Sequence, residues 1–172
     1  FFLRNGRVIH LKAGHYTVIS QIQSEFYLAQ PERYITTLSE YQQSIKPGNA
    51  LVLTGLGIFI GLGIYYAALA VARRRLAEAM YAAFILGNLL FNSSAHLLLK
   101  DLFGISSIYM AGGPILFSNI AYIIFVMALL GIKKQTHFFL FNTGTGLIWL
   151  FSIFILLAPF FPNWTLEFAR YG

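Results

Sequence analysis

Apolar residues fall in long unbroken runs from position 51 onward and in short alternating bursts before it. The first run, Leu51 to Ala72 (LVLTGLGIFIGLGIYYAALAVA), contains no charged residue. A helix rises about 1.5 Å per residue, so ~20 apolar residues cross the ~30 Å hydrocarbon core of a bilayer. Arg73, Arg74 and Arg75 follow, and a second run, to Leu99, carries only Glu78 as a charge, close to its start. Lys133 and Lys134 separate a third run from a fourth. A buried helix pair of a soluble domain does not need uninterrupted apolar stretches of this length. The pattern predicts a membrane all-α helical bundle with four spans, at about 51–72, 76–99, 108–131 and 138–161, within a membrane region 49–172.

Ahead of the spans the period changes. Residues 1–28 read as strands: Asn5-Gly6 lies between FFLR and RVIH, a strong hairpin signal because both residues tolerate positive φ. Ala13-Gly14 gives a second turn, and from His15 to Gln23 the chain is rich in β-branched and aromatic residues, with Tyr16, Val18 and Ile22 on one face. So few short strands cannot make a core alone, so they call for neighbouring strands elsewhere. With Phe1 in place of an initiator methionine, the chain reads as part of a longer protein. His10 and His15 read as strand surface. Residues 31–48 read as an amphipathic connecting helix and turn, with Pro31 at the first helical position and Pro47-Gly48 as the stop. Tyr34, Leu38, Tyr41 and Ile45 form its apolar face.

Composition sharpens this. Only 10% of the 172 residues are charged, against about 25% in soluble domains. The net charge of +6 does not point to nucleic acid, because five of the twelve basic residues (Arg73, Arg74, Arg75, Lys133 and Lys134) sit at span ends. That placement suits anionic lipid and sets topology, putting both basic loops in the cytoplasm and residues 1–48, 100–106 and 162–172 outside. With no cysteine, disulfides, thiolate metal sites and cysteine nucleophiles are excluded.

Two constellations lie inside the spans. Gly57 and Gly61, flanked by Gly55 and Gly63, form a GxxxG pair, the residue spacing that admits a neighbouring helix at close range. A nucleotide-binding glycine loop would need a preceding strand, which an apolar span cannot supply. Asn88, Asn92 and His96 recur every four residues on the second span, a polar stripe that should face the bundle or a cavity. Ser118 and Asn119 on the third span and Asn142 and Thr143 on the fourth are candidate partners. Interhelical hydrogen bonding is the ordinary reading, and Asn88, Asn92, His96 and Asn119 are the ligand-binding candidates should a cavity exist. A metal site is not expected with one intramembrane histidine. No catalytic set emerges: Glu78 and Asp101 belong to opposite membrane faces, and no GxSxG, HExxH or phosphate loop occurs. No cofactor is expected. Asn163-Trp164-Thr165 matches the glycosylation pattern and reads as a chance match.

The phrase KAGHYTVISQIQS, then a linking helix, then GLGIFIGLGIYYAALAVARRRLAEAMYAAFILGNLL resembles the bacterial 7TMR-DISM family, seven-helix receptors with diverse intracellular signalling modules. Gly57, Gly61, Tyr65, Tyr66, Arg73, Arg75 and Tyr81 stand where that family's pattern places such residues, and GPILFSNIAYIIFVMALLGIKK fits its looser middle section. The resemblance implies the C-terminal strands of an extracytoplasmic β-sandwich over 1–30 and four spans out of seven. It further implies a sensory receptor in the bacterial inner membrane, a small carbohydrate-like ligand, and a cytoplasmic output domain that this sequence lacks. The alternative is a non-catalytic accessory subunit, held by helix–helix partners in a homodimer or larger complex.

Overall fold

The computed structural model describes residues 8–19, 21, 35–96, 98–105, 107 and 109–161. Two compact units make up the chain, Phe1–Ala50 and Leu51–Gly172.

In the first unit, residues 8–19 are exposed and none of the described residues is in a strand, where sequence periodicity predicts strands. A strand lacks half its backbone hydrogen bonds without a neighbour, and no described segment supplies one. The Tyr16 hydroxyl instead donates to the Lys12 carbonyl at 2.9 Å. The Asn5-Gly6 turn, the Pro31 start, the acceptor pattern at Asn163 and the exit beyond Phe161 lie outside the described residues.

Helix α1, Leu38–Arg73, corrects the connecting segment at both ends. Residues 35–37 are not helical. The helix starts instead from a reciprocal cap: the Glu40 amide donates to Thr37 Oγ1 and the Thr37 amide donates to Glu40 Oε2, each at 3.3 Å. This is the capping box of a Thr-x-x-Glu sequence, which satisfies two of the amides that a helix start leaves open. Hydrogen bonds from the Thr36 and Thr37 side chains hold the Glu40 carboxyl below the usual carboxylate range. Tyr41 is buried and Ile45 half-buried, while Leu38 is exposed. Pro47 and Gly48, the expected stop, lie inside the helix. Proline removes the bond to the carbonyl four residues back, that of Gln43, and Gln43 is exposed, so water can take its place.

In the second unit, α1 ends at Arg73, and Arg74 takes a left-handed conformation (φ 52°) while its amide closes on the Ala70 carbonyl at 2.8 Å. Extended Arg75 then leads into α2, Leu76–Ala95. The second run is thus shorter than expected, and Asn92, Ser93 and Ser94, residues that compete for backbone hydrogen bonds, precede its end. A short α3, Leu98–Phe103, and Gly104 at φ 70° lead towards α4, Tyr109–Leu129. Pro114 lies within α4. Gly131 (φ 62°) ends α4 in a Schellman motif, with Ile132 N–H on Met127 O at 2.9 Å and Gly131 N–H on Ala128 O at 3.4 Å. Helix α5 is Phe138–Leu157.

Three helices among the described residues, α1, α4 and α5, are long and apolar enough to cross a membrane, where the sequence pattern predicts four. Helix α2 has 20 residues, but Glu78, Asn88, Asn92, Ser93 and Ser94 lower its apolarity. The chain is therefore a multi-pass membrane protein whose apolar helices suit contact with lipid. Its core lies between α2 and α4, where Ile85, Leu116, Ser118 and Ala121 are buried, and α5 packs on α4.

Candidate functional site

Two small residues bring α2 and α4 together. A Cβ added to Gly87 would lie 2.8 Å from the Pro114 carbonyl oxygen and from Ser118 Cβ, and 3.0 Å from Ser118 Cα. Only a residue without a side chain admits a neighbouring backbone so closely. Ala83 and Gly87 form the small-xxx-small spacing that signals such an approach, although the richer glycine run on α1 draws the eye first.

The close approach creates a closed polar cell. Asn88 Nδ2 donates to Ser118 Oγ at 2.6 Å and to the Phe84 carbonyl at 2.9 Å, and Ser118 Oγ donates to the same carbonyl at 3.1 Å. Ser118 is fully buried. Each donor in the cell has an acceptor, which an apolar setting requires. Asn92 points back along its own helix, its Nδ2 donating to the Asn88 carbonyl at 2.8 Å.

The four ligand-binding candidates therefore do not converge. Asn88 is committed to Ser118, and Asn92 to α2 itself. His96 stands past the last residue of α2, at its C-cap, so the expected three-residue stripe ends at Asn92. Asn119 is half-buried one position beyond Ser118, and Asn142 and Thr143 are exposed on α5. No group of three or more His, Cys, Asp or Glu residues suited to a metal occurs among the described residues.

Beside this cell, towards the α1–α2 turn, lies a chain of aromatic rings; the sequence pattern names Tyr65, Tyr66 and Tyr81 one by one, but not their association with Phe84, Tyr122 and Phe125. Tyr66 meets Tyr81 edge-on at 4.4 Å between centroids, Tyr81 meets Phe84 and Phe125, and Phe84 meets Tyr122 at 5.3 Å. Tyr65 stands edge-on to Tyr66 at 5.2 Å. Rings at i and i+3 on facing helices (Tyr81 and Phe84, Tyr122 and Phe125) are the signal that could have found it.

Helix α1 meets this cluster through Tyr66, and a Cβ on Gly63 would reach Ile85 at 3.4 Å. Among the described residues no Cα of α1 comes within 8 Å of one in another helix. A Cβ on Gly55, Gly57 or Gly61 would meet nothing within 4 Å. At the turn, Arg73 Nη1 pairs with Glu78 Oε1 at 3.2 Å, and Glu78 Oε2 is buried with no hydrogen-bond partner. Arg74, Arg75, Lys133 and Lys134 are exposed.

Comparison with protein-family models, curated proteins and solved structures finds no match for the chain.

Proposed function

We propose that the chain is the membrane portion of a bacterial inner-membrane sensory receptor of the 7TMR-DISM type, with residues 1–48 outside and the two basic loops in the cytoplasm. In this reading residues 1–30 belong to an extracytoplasmic β-sandwich whose partner strands lie elsewhere in the protein. That domain binds a small carbohydrate-like ligand, and α2 crosses the membrane as a fourth span of seven, its polar residues turned to protein.

The observation that carries the reading is the unequal packing of the second unit. A relay needs one part that stays fixed and one that can repack between two arrangements. Helices α2 and α4 are joined by backbone-level contact and a closed polar cell, whereas among the described residues α1 meets α2 through the Tyr66–Tyr81 ring edge, with no Cα within 8 Å of one in another helix. A ligand acts on such a system only through its different affinity for the two packings. No residue of this chain is given a catalytic part.

The open glycine face of α1 favours a second reading, an accessory subunit whose α1 receives a helix of another protein. Peptide mapping and intact mass of the protein purified from its own membrane separate the two. Further spans and a soluble output domain on the same chain support the receptor. A chain of this size held with unrelated subunits in fixed ratio overturns it.

A further inference from the structure

The ring contacts fix how α2 and α4 run past each other. Gly87 lies against Pro114 and Ser118, Phe84 against Tyr122, and Tyr81 against Phe125. Each step towards the start of α2 is thus matched by an equal step towards the end of α4, and the register carries Arg75 to the level of Gly131. Met127 and Gly144 meet in the same sense on α4 and α5. The arginine turn and the 130–137 loop therefore share one end of the second unit.

That end has more positive charge than its own groups can neutralise. It carries Arg73, Arg74, Arg75, Lys133 and Lys134, and Glu78 is its one acidic residue among the described residues, already engaged by Arg73. The carbonyl ends of α1 and α4 are closed by backbone bonds from Arg74, Gly131 and Ile132. The amide ends of α2 and α5 open on the same side, and neither receives a side-chain cap hydrogen bond. Exposed helix N-termini add to the preference for anions.

Arg74 is set apart within this patch by its backbone. Both α1 and α4 leave their helices through a left-handed residue; α4 uses Gly131 and α1 uses an arginine. Glycine adopts that conformation without strain, while an L side chain does so at a cost.

We propose that this end of the bundle is a docking surface for the phosphate groups of anionic phospholipids, with Arg74, Arg75, Lys133 and Lys134 as the binding cations. The proposal rests on the membrane reading and goes beyond it, since positive loops can orient a protein without binding any particular headgroup. Phospholipid is the occupant because the patch ends helices of membrane length, at the level where headgroups lie.

The test reconstitutes the full chain into nanodiscs of phosphatidylcholine, with and without phosphatidylglycerol, and follows the unfolding midpoint as phosphatidylglycerol increases. The midpoint should rise with phosphatidylglycerol, less so at high salt. Removing charge with K133Q and K134Q should weaken the apparent phosphatidylglycerol affinity roughly fivefold per charge. Arg74→Gly should weaken it similarly while unfolding in pure phosphatidylcholine no earlier than the parent, because it relieves the left-handed residue. Equal midpoints in both lipids, or unchanged affinity in all three variants, would overturn the proposal. Inorganic phosphate reproducing the effect in neutral lipid would also overturn it, by assigning the patch to a soluble anion. Reconstitution into both lipids without discrimination removes this proposal alone; failure to enter either removes the membrane reading and this proposal with it.

Discussion

Gly87 on α2 and the pair Gly57 and Gly61 on α1 are the same residue inside long helices, but their surroundings are opposite. Around Gly87 the backbone of α4 occupies the space that a side chain would need. Around Gly57 and Gly61 that space is open. The difference is not in the glycines. It lies in what stands across from them: on α4 a serine small enough to approach and polar enough to be worth approaching, and across from Gly57 and Gly61 no atom of the described residues within 4 Å of an added Cβ. In lipid, where helices gain little by hiding apolar surface from one another, close packing and hydrogen bonds have to hold a pair together. The α2–α4 seam has both.

The largest effect should follow from breaking that seam. Gly87→Ala would place a methyl group against the Pro114 carbonyl oxygen and Ser118 Cα, backbone atoms that move only if the helices separate. Overpacking of this kind costs about 1–3 kcal/mol. Unfolding of the purified protein in a detergent titration should shift by that amount; an unchanged midpoint would mean that α4 can retreat freely and that the seam is not tight. Gly144→Ala is the internal control. Its methyl group would meet the end of the flexible Met127 side chain, at 2.8 Å from Sδ, which can swing aside.

The contrast also marks where sequence reasoning reaches its limit. A span must be apolar over its whole length whatever surrounds it, so the runs that became α1, α4 and α5 announce themselves residue by residue. Which faces of those helices meet is decided by pairs of positions far apart in the chain. The GxxxG of Gly57 and Gly61 is the stronger signal taken alone, yet Gly87 is the glycine that has a partner, because Ser118 lies opposite. His96 was readable as the third member of a stripe only while the helix was taken to continue past Ala95. Pro47-Gly48 misleads for a related reason: local propensity favours a stop, but one lost bond at an exposed carbonyl does not interrupt a helix followed by more than twenty apolar residues. The Thr37–Glu40 cap, by contrast, is a local signature and was open to reading from TLSE alone.

A smaller effect is expected from the polar cell. Ser118→Ala leaves one Asn88 donor without its acceptor, and Asn88→Leu removes both of that side chain's bonds. Hydrogen bonds between membrane helices average about 0.6 kcal/mol and reach about 1.7 kcal/mol in double-mutant cycles. The cycle on Asn88 and Ser118 should give a coupling in the upper part of that range, because the 2.6 Å contact is short and Ser118 has no access to water. A coupling indistinguishable from zero would mean that Gly87 alone holds the helices together and the hydrogen bonds are incidental.

No loss of stability is expected within the single chain from Gly57→Leu and Gly61→Leu, the pair that tells most about α1. Neither added side chain meets an atom of this chain at its Cβ, and both glycines are exposed, so no overpacking term arises. Replacing glycine in a helix interior recovers up to about 1 kcal/mol of helix propensity. The isolated protein should therefore unfold no earlier, and slightly later, than the parent. In the native membrane the expectation reverses. A helix seated on that face of α1 would be pushed off by two leucines, and the variants would lose their place in a dimer or complex, read as a drop in native mass while the monomer's own stability holds. Should the variants keep both their stability and their native mass, the open glycines would be lipid-facing. The looseness of α1 would then belong to this chain alone, which is what a helix that repacks during signalling requires.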